Sequence, residues 1–158
     1  VLNLFAYTGS LSVAAAKGGA TVCSVDLSRT YLAWAEENFR TNDIDPKAHE
    51  FVAADILRWI DDASQRGAAY DIILLDPPTF SKSKSMRRTF DVLRDHRMLI
   101  EKTCRLLKPG GTLRFSTNRE FFELDSALAS RFDVKETTGE TLAEDCRRHP
   151  PHRSYLFR

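Results

Sequence analysis

The 158-residue sequence predicts an α/β fold: a mostly parallel, doubly wound seven-stranded sheet with an antiparallel edge and helices on both faces. Three observations predict it. Short apolar runs alternate with amphipathic segments as far as Ser116. The connections have the length that parallel crossovers require. Two apolar runs then lie close to the end of the chain, as an antiparallel edge needs.

Val1-Leu2-Asn3-Leu4-Phe5 reads as a buried strand. Ser10 to Lys17 carries small apolar residues and stops at Gly18-Gly19, the ending of a short helix. Thr21 to Asp26 is a second strand, and Ser28 is a good N-cap for a helix to about Asn42, with Leu32, Ala35 and Phe39 on one face. Phe51 to Ala54 forms a third strand and Ile56 to about Arg66 a third helix. Tyr70 to Leu75 is the most apolar strand, and Asp76-Pro77-Pro78 stops it. After a polar loop, the spacing of Phe90, Leu93, Leu99 and Leu106 predicts one helix over Thr89–Leu107. Lys108-Pro109-Gly110-Gly111 reads as a turn, Thr112 to Ser116 as a fifth strand and Leu124 to Arg131 as a helix. Val134 to Thr137 and Tyr155 to Phe157 supply the closing strands.

Hydrophobic residues make up 42% and charged residues 28%, the balance of one globular domain rather than a disordered tail. The chain opens directly on its first strand, so residues 1–158 read as a catalytic domain cut from a longer polypeptide. No apolar run approaches the roughly 20 residues of a membrane span. Cys23, Cys104 and Cys146 are scattered, which argues for a reducing, cytoplasmic setting. Cys146, His149 and His152 lack a fourth ligand, so no metal is expected. Trp34 and Trp59 read as packing residues on helices.

The net charge is +1, which by itself announces no nucleic-acid partner. Local charge is different. Lys82, Lys84, Arg87 and Arg88 follow the Asp76 turn, then Arg94 and Arg97 on the next helix, and Arg147 and Arg148 lie near the end with His149, His152 and Arg153. Both groups are candidates for phosphate contact.

Ligands of open α/β sheets bind outside the carboxyl ends of the strands. Those ends carry Tyr7-Thr8-Gly9-Ser10, Asp26, Asp55 and Asp76. Gly9 stands alone, without the G-x-G-x-x-G of a nicotinamide enzyme. The N–H groups of Thr8, Gly9 and Ser10 at a helix start suit a carboxylate. Asp26 follows at about the distance of a ribose-hydroxyl acceptor, and Asp55 is placed to accept from an exocyclic amine. An amino-acid end, a ribose and an adenine together describe S-adenosylmethionine (SAM).

Asn3-Leu4-Phe5-Ala6-Tyr7-Thr8-Gly9, Val25-Asp26-Leu27-Ser28, Ala54-Asp55 and Asp76-Pro77-Pro78-Thr79-Phe80 resemble the successive motifs of class I SAM-dependent RNA methyltransferases. With Ser28-Arg29-Thr30-Tyr31-Leu32, Ser81-Lys82-Ser83-Lys84 and Phe90-Asp91-Val92-Leu93-Arg94-Asp95-His96, the sequence is similar to the C-terminal guanine-N7 domain of the bifunctional large-subunit rRNA methyltransferase K/L family. The resemblance implies a Rossmann-like methyltransferase fold, SAM as cofactor and 23S rRNA as partner. It also implies upstream RNA-binding and second methyltransferase domains in the full-length chain. Its motifs imply a cofactor-binding set of Asn3, Phe5, Tyr7, Thr8, Gly9, Ser10, Asp26, Leu27, Ser28, Asp55, Ile56 and Asp76, and a catalytic set of Asp76, Pro77, Pro78 and Phe80.

Relatives with an aromatic residue directly after the two prolines methylate exocyclic amines, but here Thr79 intervenes before Phe80. Guanine N7 has a lone pair and no proton to lose, so it needs alignment and charge stabilisation rather than a general base. Asp76 is the candidate stabiliser, and Phe80 and Phe121 are candidate stacking partners for the base. Covalent cytosine C5 methylation would use a cysteine after the fifth strand, where Phe115-Ser116-Thr117-Asn118 stands instead. A non-catalytic RNA-binding module of the same fold is the competing non-enzymatic reading.

Overall fold

A computed structural model describes residues 1–81, 89–142 and 151–158. In chain order the elements are β1 (Leu2–Leu4), α1 (Ser10–Lys17), β2 (Cys23–Asp26), α2 (Arg29–Thr41), β3 (Glu50–Ala53), α3 (Ile56–Gln65), β4 (Tyr70–Leu75), β5 (Phe80–Ser81), β6 (Phe90–Asp91), α4 (Val92–Cys104), β7 (Leu107–Thr117), α5 (Ser126–Ala129), β8 (Val134–Glu136), α6 (Thr138–Thr141) and β9 (Arg153–Phe157). Seven strands form one sheet in the order β3-β2-β1-β4-β7-β9-β8. The first five are parallel neighbours, and β9 and β8 join antiparallel. This is the expected α/β architecture. The chain winds outward from β1 to β3 and then crosses back to β4, so the switch point lies between β1 and β4.

Side chains on successive strand positions point to opposite faces. Leu2, Leu4, Ile73, Leu75, Leu113 and Phe115 join Trp59, Ile60, Leu99 and Ile100 of α3 and α4 in the main core. Asn3 and Ser24 take the alternate positions. The Asn3 Nδ2 donates to Ser12 Oγ of α1 at 2.8 Å, and Ser12 and Ser24 share a hydroxyl hydrogen bond of 2.8 Å. All three are buried, and each satisfies another's polar group.

Three local expectations change. The helix predicted over Thr89–Leu107 begins only at Val92, because the Asp91 carboxylate accepts from Leu93 N at 3.0 Å and caps it. Phe90 therefore lies on β6, paired antiparallel with β5. The turn at Lys108-Pro109-Gly110-Gly111 falls inside β7, where the pairing slips: Leu107 opposes Tyr70, and Thr112 opposes Ile72. Trp59 is a core residue, but Trp34 is 55% exposed and does not pack inside.

The start of α1 is packed tightly against α2. Gly9 has φ 76°, and a Cβ there would lie 2.8 Å from the Cβ of Ala35. Gly9→Ala therefore combines an unfavourable backbone conformation with overpacking, and we expect a loss of about 1–3 kcal/mol. Thermal unfolding checks this, with roughly 2–4 °C of Tm for each kcal/mol in a chain of this size; an unchanged Tm would refute the packing account.

Candidate active site

The loop after β1 is held in a strained path. Phe5 and Tyr7 have φ of 58° and 50°, the left-handed region that costs a non-glycine residue about 1–2 kcal/mol. The surrounding hydrogen bonds hold it there. Ala6 N donates to Val25 O at 3.1 Å and Gly9 N to Ala6 O at 2.9 Å. The two Asp26 carboxylate oxygens accept from Tyr7 N at 2.9 Å and Ser28 N at 2.8 Å. Asp26 thus clamps the β1 loop to the start of α2. Each of its oxygens keeps a further acceptor position.

A cleft of about 380 Å³ opens at these strand ends. Of the predicted residues it gathers Phe5, Tyr7, Asp26, Leu27, Asp55, Ile56, Asp76, Pro77 and Pro78 into one lining. Asp55 also caps α3, accepting from Arg58 N at 3.3 Å. Tyr31, Leu57, Ser81, Phe90 and Asn118 complete the wall and were not singled out as cofactor or catalytic residues from the sequence. Tyr31 had a signal available: it lies three residues after the Ser28 cap, one turn along α2 from the acidic strand end. Its ring meets that of Tyr7 edge-on, with centroids 4.4 Å apart.

Other predicted residues lie elsewhere. Asn3 is buried in the polar seam under α1. Ser28 caps α2, its hydroxyl accepting from Tyr31 N at 3.3 Å. The Gly9 N–H is used within the loop, the Thr8 carbonyl accepts from Asn38 Nδ2 at 2.9 Å, and Ser10 faces a second cleft. Phe80 is exposed on β5, with the Arg119 guanidinium 5.9 Å from its ring centre. Arg94 is tied to Asp95 at 2.6 Å and 2.9 Å and to the Thr89 carbonyl at 2.6 Å, so it braces the β6–α4 junction. Lys82, Lys84, Arg87, Arg88, Arg147 and Arg148, with Cys146 and His149, lie outside the described residues.

Asp76 sits where this cleft meets the second one, which occupies about 560 Å³ and shares Asp76 and Asn118 with it. The Ser116 hydroxyl donates to Asp76 Oδ1 at 2.8 Å. Residue-wide, Asp76 is exposed. Its carboxyl end is nevertheless crowded by protein, and that desolvation pushes its pKa above the ordinary carboxylate range, outweighing the lowering influence of Ser116 and His152. The Cys23 and Cys104 thiols are pushed up to about 12 by burial, so neither supplies a thiolate near neutral pH.

The lining fits SAM by its donor set. Asp26 offers paired acceptors for ribose hydroxyls. Leu27, Ile56 and Leu57 give apolar walls for a flat base, with Asp55 at their edge. The Asp76-Pro77-Pro78 turn adds a carboxylate and two ring faces to the same lining. No helix among the described residues is long and apolar enough to cross a membrane.

Residues 1–147 match the family described as S-adenosylmethionine-dependent methyltransferase. The ribosomal RNA large subunit methyltransferase K/L of Chromohalobacter salexigens is 50% identical over 159 residues, covering 99% of this chain and 21% of that protein. Its counterpart in Shewanella oneidensis is 48% identical, covering 99% of this chain and 22% of its own length. The chain thus spans about a fifth of the length of these curated relatives. Among solved structures, SMU.776, described as a methyltransferase and crystallised with SAH, superposes with a TM-score of 0.79 at 27% identity over 99% of this chain and 44% of that one. The SAM-dependent methyltransferase of Agrobacterium tumefaciens shares the fold, with a TM-score of 0.74 at 23% identity over 99% of this chain and 54% of its own.

Asp26→Ala removes both the ribose acceptors and the loop clamp, so SAM affinity measured by calorimetry should fall by at least about tenfold. Tyr31→Ala, which leaves the clamp in place, should weaken SAM by a smaller factor. Unchanged affinity in Asp26→Ala would overturn the ribose assignment.

Proposed function

The chain belongs to the S-adenosylmethionine-dependent methyltransferase family, and from that premise we propose that it methylates guanine N7 in 23S rRNA, as one catalytic domain of a longer enzyme. The observation that carries this reading is the Asp76 carboxylate, which accepts from Ser116, is desolvated and lines both clefts. The relatives named K/L support the large-subunit rRNA substrate. Their greater length supports a longer polypeptide, in which we place the RNA-binding and second methyltransferase domains upstream.

When bound, SAM supplies an electrophilic methyl group on a sulfonium. Asp26 orients the ribose, and Asp55 with Leu27 and Ile56 holds the adenine. The target guanine presents the N7 lone pair, so no side chain has to take a proton. The purine becomes cationic as the new bond forms, and Asp76 lies on the acceptor side to stabilise that charge. Pro77 and Pro78 stiffen the segment and carry no N–H that would compete for the carboxylate. Phe90 and Pro77 are buried and keep water from the reacting atoms. Phe80, with Arg119 against its ring, offers a stacking surface for the base. The basic residues after Ser81 and before Pro150 are assigned to phosphate contact.

A covalent cytosine C5 mechanism is disfavoured by the high thiol pKa values of Cys23 and Cys104. Mass spectrometry of rRNA nucleosides, after incubation with the full-length protein and SAM, should show 7-methylguanosine. 5-Methylcytosine or an N2-methylated guanosine in its place would replace the assignment.

Asp76→Asn should lower kcat by about 10²–10³ and weaken SAM by a smaller factor. Activity needs the ionised carboxylate, so kcat should fall as pH drops through the raised pKa of Asp76. Ser116→Ala removes a lowering influence and should move that limb to higher pH, while Asp76→Asn should abolish it. Stability has the opposite sign. The native carboxyl keeps its proton to higher pH than the unfolded one, so its contribution declines as pH rises between the unfolded and native pKa values. Asp76→Asn should flatten this decline in a pH series of denaturation curves.

A further inference from the structure

The loop between β7 and α5 carries a side chain whose position brings the folded chain no return. Phe121 is 89% exposed and has φ 53°. Left-handed backbone is unfavourable for a bulky residue, and an exposed aromatic ring gains nothing from burial. Both neighbouring stretches are anchored. Phe122 is buried, its ring centre 4.8 Å from that of His96 and 5.5 Å from that of Phe115. Asp125 N donates to His96 Nε2 at 3.0 Å, and the Asp125 carboxylate caps α5 through Ala127 N at 2.8 Å. Upstream, Arg119 N donates to Thr117 Oγ1 at 3.2 Å, and Asn118 is part of the wall of both clefts. Phe121 is therefore presented outward from a pinned loop near the cleft, not left on a free one.

We infer that Phe121 is a wedge that enters the RNA base stack and fills the gap left by the nucleotide drawn into the cleft. This rests on the RNA-methyltransferase reading above. A base cannot reach the end of a cleft while it remains stacked, and apolar side chains at such sites hold the stack apart. RNA is favoured over a protein partner because Asn118, three residues before Phe121, lines both clefts, and the exposed Phe80 ring has the Arg119 guanidinium 5.9 Å from its centre; the exposed Glu120 and Glu123 around Phe121 direct that ring to bases and not to phosphates.

The test uses the full-length protein and two rRNA hairpins that carry the target guanine beside 2-aminopurine. In one hairpin the guanine is paired; in the other it faces an abasic site and is already unpaired. The variants are Phe121→Gly, which suits the backbone angle and should fold at least as well, and Phe121→Leu, which keeps an apolar wedge. Phe121→Gly should lower kcat/KM on the paired hairpin by about tenfold or more, match wild type on the unpaired one and abolish the 2-aminopurine fluorescence rise on binding. Phe121→Leu should retain most of both. Equal loss on the two hairpins, no loss on either, or a change confined to protein–protein association would overturn the wedge. Wild-type protein that binds neither hairpin would instead refute the RNA reading itself.

Discussion

The cofactor end of the molecule depends on one carboxylate that does two jobs. Asp26 accepts from Tyr7 N with one oxygen and from Ser28 N with the other. Those bonds join the ends of two neighbouring parallel strands. They also compensate for the left-handed backbone at Phe5 and Tyr7, which turns the chain out of β1 and toward the cleft. Without that turn, Tyr7 would not meet Tyr31, and α1 would not start beside Ala35. A strand-end acid is thus a structural cap and a ligand-facing group at once, because a carboxylate has more acceptor positions than two backbone donors use.

Much of this was legible in the sequence. The α1 bounds were read directly, because small apolar residues ended by two glycines leave little choice. The four strand ends that converge were found because parallel topology puts every carboxyl end on one side. Three features were less legible, each for a physical reason. Phe90 obeys helical spacing, but the Asp91 cap overrides it and puts the residue on β6, beside the cleft. Ser116 was read as the end of a strand and as the absence of a cysteine, not as a partner of Asp76. Its bond to Asp76 joins residues 40 apart in sequence and depends on the pairing of β4 with β7. Asn3 sits in a motif beside the site, yet strand alternation turns it toward Ser12 and away from the cleft.

Charge shows the same separation of scales. A net of +1 conceals acids gathered at the strand ends and an arginine that looked free on paper but is spent within the fold. Arg94 closes two bonds on Asp95 and one on a main-chain carbonyl, which leaves it little to offer a phosphate. An arginine's value to a partner depends on what its guanidinium already holds, and sequence clustering cannot report that.

The desolvated carboxyl of Asp76 has a consequence after bond formation. In the proposed chemistry the acceptor arrives neutral and leaves as a cation. A poorly hydrated carboxylate attracts that cation more strongly than a hydrated one would. The field proposed to lower the barrier therefore also acts on the modified nucleotide until it leaves, so one carboxylate bears on both methyl transfer and product release. The Ser116 hydroxyl, which donates to that carboxylate, takes up part of its charge and so tempers its pull at both stages of the proposed reaction.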